Sequence, residues 1–239
     1  MWFVSNRVLV KESGLLEGFR DCHCHLLPGV DDGVQEMDET IQILKEWDQD
    51  GVKEVWLTPH IMEDIPNKEE ALRTKLEALQ AAYNGDIKLH LAAEHMMDGH
   101  FQKRLEQNEV MPIGEDKDKL LVETSYYTPP MNMEDIIERV KAKGYEPILA
   151  HPERYQYMDR QDYLRCKQRG VLLQLNVPSL VGAYGFDVLR KAEWLLKENM
   201  YDYCGTDTHA ARQMEYFLDS EISKKIVKKV KKLSEEQRL

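Results

Sequence analysis

The chain has no apolar run approaching the roughly 20 residues that cross a bilayer, and Met1 to Arg20 lack the apolar stretch of a secretion signal. A cytoplasmic protein with no stable membrane insertion is expected. Nor is there an excess of positive charge: 32 Lys and Arg face 43 Asp and Glu, a formal net charge of −11 over 239 residues. That balance argues against general affinity for nucleic acid or anionic membranes and suits bound cations. Cysteine is scarce. Cys22, Cys24, Cys166 and Cys204 show no secreted-framework spacing, and buried reduced thiols are expected. A cysteine-based phosphatase loop needs an arginine six positions after its nucleophile, where this chain has Pro28, Val30, Leu172 and Ala210, so that chemistry is not supported. Tandem repeats and low-complexity linkers are also missing.

What the chain does have is alternation. Short apolar runs near residues 19–26, 52–58, 87–93, 119–124, 146–150, 171–176 and 201–206 are each followed by a helix-like stretch. The first helix is expected over 38–50, and the second opens on Asn67-Lys68-Glu69-Glu70, which resembles a capping box. Residues 221–233 place Ile222, Ile226, Val230 and Leu233 at helical spacing with lysines mainly elsewhere, as in a docked amphipathic helix. Seven parallel βα units of this length predict one domain, an α/β fold curled into a distorted seven-stranded (β/α)7 barrel over 19–239, preceded by an N-terminal extension at 1–18. Such barrels carry their sites at the carboxyl ends of the strands.

Six of the seven runs end there in histidine, glutamate or aspartate. In Asp21-Cys22-His23-Cys24-His25, strand alternation projects His23 and His25 together and turns both cysteines away. His60 follows the second run, Glu94 the third, Glu123 the fourth, His151 the fifth, and Asp207 and His209 the seventh, while Asp32 can join from the loop after the first. Nitrogen and carboxylate donors suit zinc, manganese or iron, and these nine groups exceed the needs of one tetrahedral ion, so two or three ions are expected. His90, His95 and His100 are expected in structural or surface roles.

His23-x-His25, the Leu27-Pro28-Gly29-Val30-Asp31-Asp32-Gly33 loop, Thr58-Pro59-His60, Ala93-Glu94, Leu121-Val122-Glu123, Ala150-His151-Pro152-Glu153-Arg154-Tyr155 and Gly205-Thr206-Asp207-Thr208-His209 together resemble the bacterial PHP-type protein-tyrosine phosphatases. These belong to the polymerase-and-histidinol-phosphatase superfamily and accompany capsule and exopolysaccharide machinery. The resemblance implies a PHP-type barrel and three divalent ions, manganese foremost with iron or zinc as alternatives. One ion would take His23, His25, Glu94 and Asp207, a second Glu94, Glu123 and His151, and a third Asp32, His60 and His209. It further implies hydrolysis of phosphotyrosine by a metal-activated water, with Arg154, and Arg212 at a different spacing from relatives, holding phosphate. The implied substrate is the tyrosine-rich tail of a membrane-associated tyrosine kinase that controls polysaccharide export. Hydrolysis of a small phosphomonoester such as histidinol phosphate, and a non-catalytic metal-binding regulator, are the competing readings.

Overall fold

In a computed structural model that describes residues 6–239, the strands are β1 (Arg7–Leu9), β2 (Arg20–Cys24), β3 (Glu54–Leu57), β4 (His60–Ile61), β5 (Lys88–Leu91), β6 (Glu94–Met96), β7 (Lys119–Glu123), β8 (Glu146–Leu149), β9 (Leu172–Asn176), β10 (Tyr203–Gly205) and β11 (Glu221–Ser223). The helices are α1 (Met37–Gln49), α2 (Glu69–Ala82), α3 (Phe101–Glu106), α4 (Met133–Ala142), α5 (Arg160–Gln168), α6 (Phe186–Lys197), α7 (Ala211–Leu218) and α8 (Lys224–Glu236). No helix among the described residues is long and apolar enough to cross a membrane.

Strands β2 to β10 form a curled parallel half-barrel. Its pairing differs from a simple run of seven: one sheet has the order β10-β9-β8-β7-β6-β4 and another the order β2-β3-β5. The second and third expected runs end at Thr58-Pro59 and at Ala92-Ala93, and each is followed by a further short strand that the expectation did not include. Proline lacks the N–H that a continuous ladder needs, and the chain resumes in a new register with His60 opposite Glu94. Both breaks fall where metal-ligand candidates begin.

Helices cover the outer face because each has one apolar stripe. α1 buries Ile43, Leu44 and Trp47, α2 buries Leu72 and Leu79, and α6 buries Ala192, Leu195 and Leu196. Each large side chain so buried contributes about 1.5–3 kcal/mol. A separate inner cluster of Cys22, Trp56, Ala92, Leu121, Ile148 and Tyr203 lies apart from this outer layer.

Three expectations are corrected. The residues opening α2 do not form a capping box: Lys68 stands at the helix boundary without a side-chain cap, and the Asn67 amide instead donates to the carbonyls of Val30 and His60. The final stretch starts as a strand, because Glu221–Ser223 pairs antiparallel with Arg7–Leu9, and the helix begins only at Lys224. Strict alternation along the first strand fails as well. A register shift between Asp21 and Cys24 places Cys22 in the inner cluster and Cys24 in the outer one, although His23 and His25 still meet. Of the extension drawn at 1–18, residues 1–5 lie outside the described residues, while Val10, Leu15 and Leu16 are buried in the outer core.

Where β2 approaches β10, the buried Asp21 carboxylate accepts from the Thr206 backbone N–H at 2.9 Å, the Thr206 hydroxyl at 2.6 Å and the His23 N–H at 3.1 Å. Burial drives the Asp21 carboxyl up to about 6 against the pull of those donors. His25 N–H donates to the Thr208 carbonyl at 2.9 Å and Asp207 N–H to the His23 carbonyl at 2.7 Å. These bonds fix the first and last ligand-bearing segments side by side.

Candidate metal centre

All nine predicted ligands converge. Four overlapping sets each bring one donor atom per residue within 4.8 Å of the others: His25, Asp32, His60 and His209; His23, His25 and Asp207; His23, Glu94 and His151; and His60, Glu94 and Glu123. His23 Nε2 and His25 Nε2 lie 3.1 Å apart. Glu94 is the hub, as its Oε2 lies 3.3 Å from His23 Nε2, 3.3 Å from His25 Nε2 and 3.2 Å from His60 Nδ1, and its Oε1 lies 2.9 Å from His151 Nε2. The grouping differs from the implied one: His25 also joins Asp32, His60 and His209, His23 joins Glu94 and His151, and Glu123 parts from His151. Glu123 sits 3.1 Å from His60 Nδ1 but 3.9 Å from His151 Nε2, so it leans toward His60.

The donors fit cations better than they fit each other. Among buried atoms without a hydrogen-bond partner are Glu94 Oε2, Glu123 Oε1 and His60 Nδ1, all facing the same space. Orphaned buried polar atoms of this kind cost about 1–3 kcal/mol each. The N···O separations of 3.1–3.4 Å are close to the roughly 3.3 Å expected between donors about 2.1 Å from a shared ion. Charge agrees: Asp32, Glu94, Glu123 and Asp207 are four carboxylates in one cluster, met by the single guanidinium of Arg154.

Protons on the histidines balance the charge otherwise. Burial alone would push the His23 imidazole down, yet Glu94 and Asp207 carry it up to about 9. His25 is likewise held well above its ordinary value, against burial, by Asp207 and Asp31. Glu94 and Asp207 are held well below the carboxylate range, against burial, with His23 the leading opposing charge in each case. Asp32 is drawn down to about 2, first by its hydrogen bond with His209.

A supporting shell orients the imidazoles. His25 Nδ1 donates to Asp31 Oδ2 at 2.8 Å, His23 Nδ1 donates to Gln174 Oε1 at 3.1 Å, and His209 Nδ1 donates to the Asp207 carbonyl at 2.9 Å. Each bond fixes a tautomer that leaves Nε2 free toward the centre. Gln174 Oε1 also accepts from His151 N–H at 3.0 Å. His151, with φ 33°, and Asp207, with φ 53°, occupy left-handed backbone, a strain of about 1–3 kcal/mol each. For His151 the buried Glu153 clamps the turn: its carboxylate accepts from the Asn176 N–H, the Ser179 hydroxyl and the Tyr201 hydroxyl at 2.9–3.0 Å.

Arg154 reaches the centre. Its Nη1 lies 2.5 Å from Asp207 Oδ2, and its guanidinium lies 4.5 Å from the Tyr126 ring and 4.3 Å from that of Tyr184. Arg212 is not brought to the ligands. It is exposed on α7 and lines a neighbouring cavity. The other histidines lie elsewhere: His90 stacks on Trp56 and pairs with Glu54, buried His95 accepts from the Met111 N–H at 3.0 Å, and His100 is exposed before α3.

Residues 19–237 match the family model described as "Capsular polysaccharide synthesis, CpsB/CapC", and the chain belongs to that family. It is 25% identical over 202 residues to the tyrosine-protein phosphatase YwqE of Bacillus subtilis, covering 82% of this chain and 79% of that one. It is 27% identical over 206 residues to the putative tyrosine-protein phosphatase CapC of Staphylococcus aureus, covering 83% and 80%. A chain from the crystal structures of YwqE and of CpsB from Streptococcus pneumoniae, described as unique metal-dependent tyrosine phosphatases, shares the fold with a TM-score of 0.75. At 21% identity that match covers 92% of this chain and 95% of the other.

Proposed function

We propose that this chain is a metal-dependent protein-tyrosine phosphatase of capsule or exopolysaccharide systems. The observation that carries the reading is the convergence of nine ligand-type side chains, with orphaned donor atoms, beside an arginine held between two tyrosine rings. His23, His25, Asp32, His60, Glu94, Glu123, His151, Asp207 and His209 would hold three divalent ions, manganese first among them. Ions bound there supply Lewis acidity, lowering the pKa of water and neutralising phosphoryl charge.

The chain's own residues do the rest. Arg154 presents guanidinium N–H groups to the phosphoryl oxygens of a phosphotyrosine dianion, and the flanking rings of Tyr126 and Tyr184 keep that plane fixed. Asp31 and Gln174 hold His25 and His23 in the tautomers that expose Nε2. Arg212 lies beside Tyr184 in a neighbouring lining, outside the ligand sets, so the phosphoryl group is assigned to Arg154 alone. The domain would be a distorted seven-stranded PHP-type barrel over 19–239, working in the cytoplasm on the tail of a membrane-associated kinase for polysaccharide export.

Manganese-dependent phosphate release from a phosphotyrosyl peptide tests this, with histidinol phosphate alongside and metal-stripped protein, His151→Ala and Glu94→Gln as controls. Peptide turnover lost in every control is the expected result. Full activity of His151→Ala at saturating metal would sink the metal assignment, and turnover of histidinol phosphate alone would overturn the substrate.

A further inference from the structure

Beside the Asp207–His209 segment lies a second cavity of about 320 Å³ whose apolar lining includes Pro178, Ala183, Ala210, Met214 and Phe217. It neighbours the candidate site across two shared walls. Tyr184 lines it and also stacks on the Arg154 guanidinium at 4.3 Å, and Thr206 and Thr208 line it while bracketing Asp207 in the chain. A phosphate dianion has little to gain here, because most of the wall is hydrocarbon and would strip its water without replacing it. An apolar side chain gains from the same wall, and the volume is sufficient for one large aliphatic or aromatic group.

Arg212 is the one charged residue in this lining. It is exposed and has no hydrogen-bond or ion-pair partner among the described residues. On a protein with a formal charge of −11, an unpaired guanidinium at the edge of an apolar cavity is a local exception to the overall field. Its fork of donors matches a carboxylate.

We propose that this cavity is a substrate subsite that takes a large apolar side chain flanking the phosphotyrosine, with Arg212 receiving an acidic neighbour on the same peptide. The proposal rests on the phosphatase reading and adds a sequence preference to it. Arg154 addresses the phosphoryl group, and the cavity addresses the peptide.

Steady-state kinetics on free phosphotyrosine and on three phosphotyrosyl peptides test it. One peptide carries an apolar and an acidic flank, the second has the apolar residue replaced by serine, and the third has the acid replaced by its amide. The first peptide is expected to exceed the second in kcat/KM by about tenfold or more, the discrimination an apolar pocket can exert. Ala183→Trp, which fills the cavity from its exposed edge, is expected to erase that ratio, and Arg212→Ala to erase the preference for the acid over the amide. Equal kcat/KM for all three peptides with the wild-type protein would overturn the subsite. So would an Ala183→Trp variant that keeps the serine discrimination, or an Arg212→Ala variant that slows free phosphotyrosine as much as the acidic peptide. Absence of turnover even on free phosphotyrosine would instead overturn the phosphatase reading, and the subsite with it.

Discussion

Arg154 Nη1 sits 2.5 Å from Asp207 Oδ2, and the same carboxylate oxygen accepts from Asn176 Nδ2 at 3.0 Å. One guanidinium therefore touches a predicted ligand and remains partly exposed beside it. If its work is to hold phosphate, Arg154→Lys keeps the charge but loses the planar fork, at about 1.5–3 kcal/mol for a hydrogen bond to a charged group. The expected outcome is a fall in kcat/KM for phosphotyrosine of about 10- to 100-fold, with bound metal unchanged by elemental analysis. A variant that loses metal in proportion to activity would show that Arg154 only braces Asp207.

The contact between His25 Nδ1 and Asp31 Oδ2, at 2.8 Å, makes a different prediction. Asp31 also accepts from His60 N–H at 3.0 Å, so one buried carboxylate steers two ligand-bearing segments. Asp31→Asn is expected to weaken metal binding by about 10- to 100-fold, the usual loss when a partner behind a ligand is removed. Competition with a chelator of known affinity reads this directly, and an unchanged midpoint would remove Asp31 from the supporting shell.

Legibility in the sequence divides along this line between ligand and support. His23, His25, His60, Glu94, Glu123, His151, Asp207 and His209 could be read from their places at the ends of apolar runs, because parallel strands deliver those ends to one mouth. Gln174 could not. It lies 151 residues from His23 and inside an apolar strand, where only the tertiary fold reveals the bond between them. Asp31 stood beside the predicted Asp32 and carried no signal of its own, since both belong to one polar turn. The breaks at Pro59 and Ala92-Ala93 were hidden because apolar periodicity does not report register. The strand at Glu221–Ser223 was hidden because its partner, Arg7–Leu9, lies at the opposite end of the sequence.

Chemistry without a cysteine nucleophile predicts how two inhibitors behave. All four cysteines are buried, and burial pushes the Cys166 thiol up to about 11. The sign is plain: a thiol raised from 9 to about 11 has roughly a hundredfold less thiolate near pH 8, so its reaction with alkylating reagents slows in proportion. Iodoacetamide at pH 8 is therefore expected to leave turnover intact over a time in which a chelator abolishes it. Rapid loss of activity on alkylation, matched to modification of one thiol by mass spectrometry, would contradict the proposed chemistry.

Two glycines mark where backbone must approach a ligand more closely than any side chain allows. A Cβ built on Gly33 would lie 2.2 Å from the His25 carbonyl oxygen, and one on Gly205 would lie 2.7 Å from both the backbone nitrogen and Cβ of His23. Neither neighbour can yield, since His25 N–H is bonded to Thr208 and the His23 carbonyl accepts from Asp207 N–H. Gly205→Ala is thus expected to cost about 1–3 kcal/mol in stability, as overpacked sites do, and to push His23 away from His25. Thermal unfolding and metal stoichiometry measured together check both halves of this expectation. A variant that melts like the wild type and binds its full complement of metal would mean that β10 can shift away from β2, and that the seam between them does not fix the ligand spacing.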